Sequence, residues 1–205
     1  MIKPLFLKFR GWVGSFLDFI GMAQLNFKNP HSYTKFRIIK SVKKKSGSKV
    51  FIEAGTYFGI TADRCSKIFD QVYTIELNET LARNATAFLS ARENVNVIKG
   101  DALKVLPELL EGNRIQNALI YLDGHVCGPT TSSGDFPEPA VEELKSLSFH
   151  KEKINAIVID DFRSFGVEKN FPEKSALIKA AEDNFPSDLF HIFVEWDQLV
   201  IIRKN

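Results

Sequence analysis

The chain has 205 residues, enough for one ordinary domain with a real buried core and a modest extension. Lys+Arg 27 against Asp+Glu 25 gives a net charge of +2, so no overall field selects for nucleic acid. The two cysteines, Cys65 and Cys127, make neither a disulfide framework nor a cysteine metal site, which fits a reducing, cytoplasmic setting.

At the N-terminus, Ile2, Leu5, Phe6, Phe9, Trp12, Val13, Phe16, Leu17 and Ile20 keep helical spacing. Lys8, Arg10 and Asp18 interrupt the stretch, so its apolar run is too short to span a bilayer. No small-residue cleavage site follows, which argues against a signal peptide. Residues 1–48 read as a helical extension whose apolar stripe packs on the chain's own domain or on a second copy, with a lid and a helix lying on the inner face of a membrane through residues 1–24 as the alternatives. The basic run KSVKKKSGSK (40–49) reads as a solvated helix end before a loop, and His31 as a surface residue or part of a lid.

Residues 49–205 then alternate apolar runs with amphipathic ones. Strands are predicted over 49–54, 71–77, 95–100, 117–123 and 155–161. Helices are predicted over 59–69, 79–92, 102–110 (despite Pro107), 138–147 and 173–185. Two final strands, 189–196 and 199–204, are joined tightly around Asp197–Gln198 and predict an antiparallel hairpin at a sheet edge. Continuous apolar strands alternating with helices predict an α/β domain: a mostly parallel seven-stranded sheet with helices on both faces.

In open α/β sheets, ligands bind beyond the carboxyl ends of the strands. Here those ends are acidic: Glu53, Glu76, Asp101, Asp123, and the pair Asp160–Asp161. The EAGTYFG loop (53–59) supplies Gly55 for a sharp turn and Gly59 for close approach. It lacks the GxGxxG spacing of a dinucleotide site, which disfavours an NAD enzyme, and it lacks a phosphate-cradling Lys. Glu76 can accept both hydroxyls of a ribose and Asp101 the amino group of an adenine. Together they describe a nucleoside site without phosphate contacts.

This combination resembles the class I S-adenosylmethionine-dependent methyltransferases across about residues 49–203, and its E-x-G-x-x-x-G form looks like the metal-dependent sugar O-methyltransferases of the macrocin O-methyltransferase type. The resemblance implies a Rossmann-like methyltransferase fold. It places Glu53 and Gly55 at the methionine end, Glu76 on the ribose and Asp101 with Ala102 beside the adenine, and it adds Thr56, Tyr57, Gly59, Leu77 and Asp123 to the cofactor site. It also implies Mg²⁺ bound by Asp123, Asp160 and Asp161. A hard cation on oxygen ligands lowers the cost of forming an alkoxide and fixes the accepting oxygen in line with the sulfonium methyl. Three adjacent carboxylates with no cation would repel one another.

His125, two residues past Asp123, suits a general base as well as it suits a loop histidine bonded to a neighbour. Cys127 reads as a passive thiol. The loop 128–140, with Thr130 to Ser133 and Asp135, offers contacts to a polyol. The reading is therefore O-methylation of a small-molecule or glycan hydroxyl by a cytoplasmic protein. The fourth strand ends in LDGH, without the Asn/Asp-Pro-Pro-aromatic loop of enzymes that methylate flipped bases, so nucleic acid is not expected. The alternatives are a non-catalytic nucleoside-binding module and a metal-independent methyltransferase with a different acceptor.

Overall fold

The computed structural model describes residues 13–14, 16–17, 19–20, 32–124 and 138–204. Helix α1 (Ser32–Ser46) leads into strand β1 (Val50–Ala54). Then follow α2 (Ile60–Cys65), β2 (Gln71–Glu76), α3 (Glu79–Leu89), β3 (Val95–Lys99), α4 (Ala102–Leu110), β4 (Ala118–Leu122), α5 (Ala140–Ser148), β5 (Ile154–Ile159), α6 (Lys174–Asn184), β6 (Phe190–Glu195) and β7 (Gln198–Arg203). The seven strands form one sheet in the order β3-β2-β1-β4-β5-β7-β6. The pairs from β3 to β5 are parallel, and β7 runs antiparallel to both β5 and β6. This is the predicted α/β architecture with its C-terminal hairpin.

Every residue of the central strands β1 and β4 is buried, because helices cover both faces. The period-2 alternation of the strands splits their side chains between two cores. Phe51, Leu119, Tyr121, Ala156 and Val158 face α1, α2 and α3. Ile52, Ala54, Ile120, Leu122 and Ile157 face α4, α5 and α6. Helix α1 docks through Ile38, Ile39 and Val42, which are all buried. Its last turn carries Lys43, Lys44 and Lys45, where cations complement the carbonyl end of a helix, as the sequence suggests for this basic run.

Element ends differ from the expectation for local reasons. The helix predicted over 59–69 stops at Cys65, and Gly59, in the left-handed region at φ 74°, is its N-cap. Asp123, Asp160 and Asp161, predicted inside strands, lie one or two residues beyond them, while Glu53 and Glu76 stay within β1 and β2. The ladder nonetheless continues past each strand: Asp123 N–H donates to the Ala54 carbonyl and Asp160 N–H to the Leu122 carbonyl, each at 3.0 Å. The hairpin turn is Trp196–Asp197, one residue earlier than predicted, and Gln198 is the fully buried first residue of β7.

Residues 13–14, 16–17 and 19–20 are helical, and Phe16, Leu17 and Phe19 are each more than half exposed. The rest of the expected apolar stripe, including Leu5, Phe9 and Trp12, lies outside the described residues. No helix among the described residues is long and apolar enough to cross a membrane.

Candidate active site

The carboxyl edge of the sheet carries two acidic groups, one on β1 and β2, the other on β4 and β5. They meet at Gly55. Its φ is 94°, and a Cβ there would lie 2.2 Å from the carbonyl oxygen of Asp123. The loop after β1 therefore crosses the end of β4 with only a hydrogen between them, and a side chain would push the two halves apart.

On the first half, Glu53 is 1% exposed. Thr74 donates to its carboxylate at 2.5 Å, and the Thr74 and Thr56 hydroxyls are 2.6 Å apart. Burial pushes the Glu53 carboxyl up to about 8, more than the hydrogen bonds from Thr74 and Thr61 pull it back. Glu76 ends β2 with each oxygen held by a backbone amide: Tyr57 N–H at 2.8 Å and Asn78 N–H at 2.9 Å. Each oxygen keeps a second lone pair, which is the arrangement a ribose diol requires. Tyr57 presents its amide because it takes φ 48°, a conformation uncommon outside glycine. Leu77, the next residue along from Glu76, is half-buried.

Asp101 ends the β3 segment, but one of its oxygens already caps α4, accepting from Leu103 N–H at 3.0 Å. The expected adenine contact must use the other oxygen, which lies 3.9 Å from Lys104 Nζ. Ala102 follows as the first residue of α4. Near this end Glu143, in the first turn of α5, is 1% exposed, and its Oε1 has no hydrogen-bond partner among the described residues. Burial raises it to about 8, and Glu138, Asp101 and Glu142 add to the shift.

On the second half, the three expected metal residues do converge. Asp123, Asp160 and Asp161 each offer a carboxylate oxygen within 4.8 Å of the others. Asp161 reaches this position in the left-handed region, at φ 51°. What sequence reasoning missed is the set of partners around them. Lys35 of α1 places Nζ 2.6 Å from Asp160 Oδ2 and 2.8 Å from Asp161 Oδ1. Tyr121 donates its hydroxyl to Asp160 Oδ2 at 2.5 Å, and Gln198 Nε2 donates to Asp160 Oδ1 at 3.2 Å. Arg163 donates to Asp161 Oδ1 at 2.8 Å and also pairs with Asp197. Asp197, in the hairpin turn, accepts from Arg163 N–H at 2.8 Å and so fixes the loop after β5.

Burial disfavours the Lys35 ammonium, but Asp160, Asp123 and Asp161 outweigh it and hold Lys35 above the ordinary lysine value. Burial, reinforced by Asp160 and Asp123, keeps the Tyr121 phenol protonated. The donor chemistry, three hard carboxylates, suits Mg²⁺. Lys35 already supplies part of the counter-charge, standing on two of the three. His31, His125, Cys127, Thr130 to Ser133 and Asp135 lie outside the described residues.

Comparison with protein-family models and with curated proteins gave no match. Solved structures do match in shape. The O-methyltransferase from Bacillus cereus in complex with SAH superposes with a TM-score of 0.60 at 14% identity, covering 83% of this chain and 81% of that one. The O-methyltransferase of tomaymycin synthesis from Streptomyces achromogenes, in complex with SAM, gives 0.58 at 14%, covering 84% and 80%. The fibrillarin pre-rRNA processing protein of Methanococcus jannaschii gives 0.50 at 22%, covering 77% and 67%. The chain thus has the fold of the class I S-adenosylmethionine-dependent methyltransferases. Its neighbours act on different acceptors, so the fold alone does not choose one.

Proposed function

We propose that the protein transfers a methyl group from S-adenosylmethionine to an oxygen of a small molecule or glycan. The observation that carries the cofactor is Glu76. Its two oxygens, oriented by the amides of Tyr57 and Asn78 at the end of β2, make a diol acceptor beside the Gly55 turn. Structures of the same fold holding SAH and SAM support it.

In this reading Glu53, Gly55, Thr56, Tyr57 and Gly59 shape the methionine end, Glu76 and Leu77 the ribose, and Asp101 and Ala102 the adenine. Asp123 stands where the two halves meet. The accepting oxygen attacks the sulfonium methyl, the C–S bond breaks, and the hydroxyl proton passes to a base, for which His125 is the proposed group. The protein's share is alignment and the exclusion of competing geometries. The resemblance to sugar O-methyltransferases supports a sugar or glycan acceptor. Residues 1–24 are proposed to contact a membrane surface or a second copy.

Asp123, Asp160 and Asp161 would hold Mg²⁺, and a bound Mg²⁺ would supply charge that stabilises the departing proton's oxygen. A second reading, metal-independent transfer, is favoured by the Lys35 ammonium on Asp160 and Asp161. The test is calorimetry with S-adenosylhomocysteine, followed by labelled methyl transfer to sugars and glycans with and without chelator. Absence of S-adenosylhomocysteine binding would refute the cofactor assignment. Binding without transfer to any hydroxyl would leave a nucleoside-binding module. Full turnover in chelator would select the metal-independent reaction.

A further inference from the structure

We propose that Lys35 is the resident cation of the Asp123–Asp160–Asp161 cluster and the residue that decides whether this cluster takes a divalent ion. The inference rests on reading the cluster as the acceptor-side cation site. Lys35 is not a long surface side chain resting by chance on an acid. It stands in the first turn of α1, the helix that Thr34, Ile38, Ile39 and Val42 bury against the sheet, and its own side chain is 16% exposed.

Its ammonium sits 2.6 and 2.8 Å from oxygens of two different aspartates, using the lone pairs that a bound ion would use. Oδ2 of Asp160 already carries two partners, Lys35 and Tyr121, and Gln198 donates to Oδ1. Counted by charge, Asp123, Asp160, Asp161 and Asp197 face Lys35 and Arg163, four carboxylates against two cations. A divalent ion added beside Lys35 meets repulsion from a cation held in low dielectric, and it gains only oxygens already shared. With Lys35 withdrawn or absent, three converging carboxylates lose their main counter-charge, and that is the condition under which a hard cation binds. Lys35 and the ion are therefore alternative occupants, with the ammonium supplying positive charge in the ion's place.

The experiment compares Mn²⁺ binding by wild type and Lys35→Met, using electron paramagnetic resonance and calorimetry, with melting temperature measured with and without Mn²⁺. Lys35→Met is expected to bind Mn²⁺ at least about tenfold more tightly and to gain more thermal stability from it. Equal affinities overturn the proposal. Because the variant loses a buried counter-charge that folding relies on, a second measurement uses wild type alone: the reductive methylation rate of Lys35 across a Mn²⁺ titration. No binding into the millimolar range, or binding that accelerates Lys35 labelling, supports the proposal. Mn²⁺ binding that leaves Lys35 protected overturns it. S-adenosylhomocysteine binding is followed in parallel. Its absence from wild type refutes the methyltransferase reading and leaves the cation result to stand by itself.

Discussion

The two acidic halves of the carboxyl edge are both built on buried carboxylates, glutamates on one and aspartates on the other, and are neutralised in opposite ways. On β1 and β2, Glu53 and Glu76 are held by hydroxyls and backbone amides, with no cation in hydrogen-bond contact among the described residues. On β4 and β5, Asp160 and Asp161 are held by Lys35 and Arg163, with neutral Tyr121 and Gln198 in support. Carboxylates oriented by neutral donors keep lone pairs for neutral hydroxyls, as in a nucleoside. Carboxylates that gather cations make a place where positive charge is exchanged. Acidic strand ends alone do not distinguish these uses, and the partners do.

The contrast can be broken most forcefully at Asp160. Asp160→Ala leaves Lys35 and Tyr121 without their shared acceptor, and the loss of one partner from a buried pair typically costs about 3–5 kcal/mol. Chemical denaturation should show a drop of that size, and a drop under about 1 kcal/mol would mean that the cluster behaves as an exposed surface pair. At Gly55, where the halves touch, Gly55→Ala forces both a left-handed alanine and a Cβ 2.2 Å from backbone. Strain of this kind costs about 1–3 kcal/mol, and a melting scan should show destabilisation together with weaker S-adenosylhomocysteine binding. An unchanged melting point would show that the two loops part easily. On the neutral half alone, Glu76→Ala should weaken S-adenosylhomocysteine binding tenfold or more, about 1.4 kcal/mol, as read by calorimetry. Unchanged affinity would remove the ribose assignment.

The most graded test is pH. Glu143 and Glu53 both rise from 4.5 to about 8 in the folded protein, with burial as the main cause. In the unfolded chain each releases its proton near the ordinary value, so stability is full below that value and declines as pH climbs toward 8. Glu143→Gln removes one of these two contributions. Its unfolding free energy, read by chemical denaturation, should fall less than that of wild type between pH 5 and pH 9, by a few kcal/mol at about 1.4 kcal/mol per pH unit. Parallel curves would mean that Glu143 finds a partner in solution.

The strands and their acidic ends were legible because buried parallel strands are continuous apolar runs, and a carboxylate closing such a run stands out. Glu53, Glu76, Asp101, Asp123, Asp160 and Asp161 all fall at those ends. Lys35 was not legible. It is one of 27 basic residues, it lies 126 positions from Asp161, and nothing in α1 distinguishes it from the lysines of the solvated end. Asp197 and Gln198 were hidden for a related reason. The hairpin reads as an edge, yet its turn reaches back to Arg163 and Asp160 through pairings that only the tertiary fold creates. Asp101 shows the reverse case, a correctly placed acid whose first duty is to cap its own helix.

Strand β7 enters the sheet between β5 and β6, although it follows both in the chain. A folding molecule can pair β1 with β2 and orient Glu76 through Tyr57 and Asn78 before β7 arrives. Asp160 has no Gln198 at that stage, and the loop after β5 has no Asp197 to fasten it. The Glu76 contacts are local, reaching Tyr57 across 19 positions, whereas Lys35 reaches Asp161 across 126, so the two halves are expected to mature on different clocks. A newly made chain would orient Glu76, the proposed ribose acceptor, before its cation cluster is rigid.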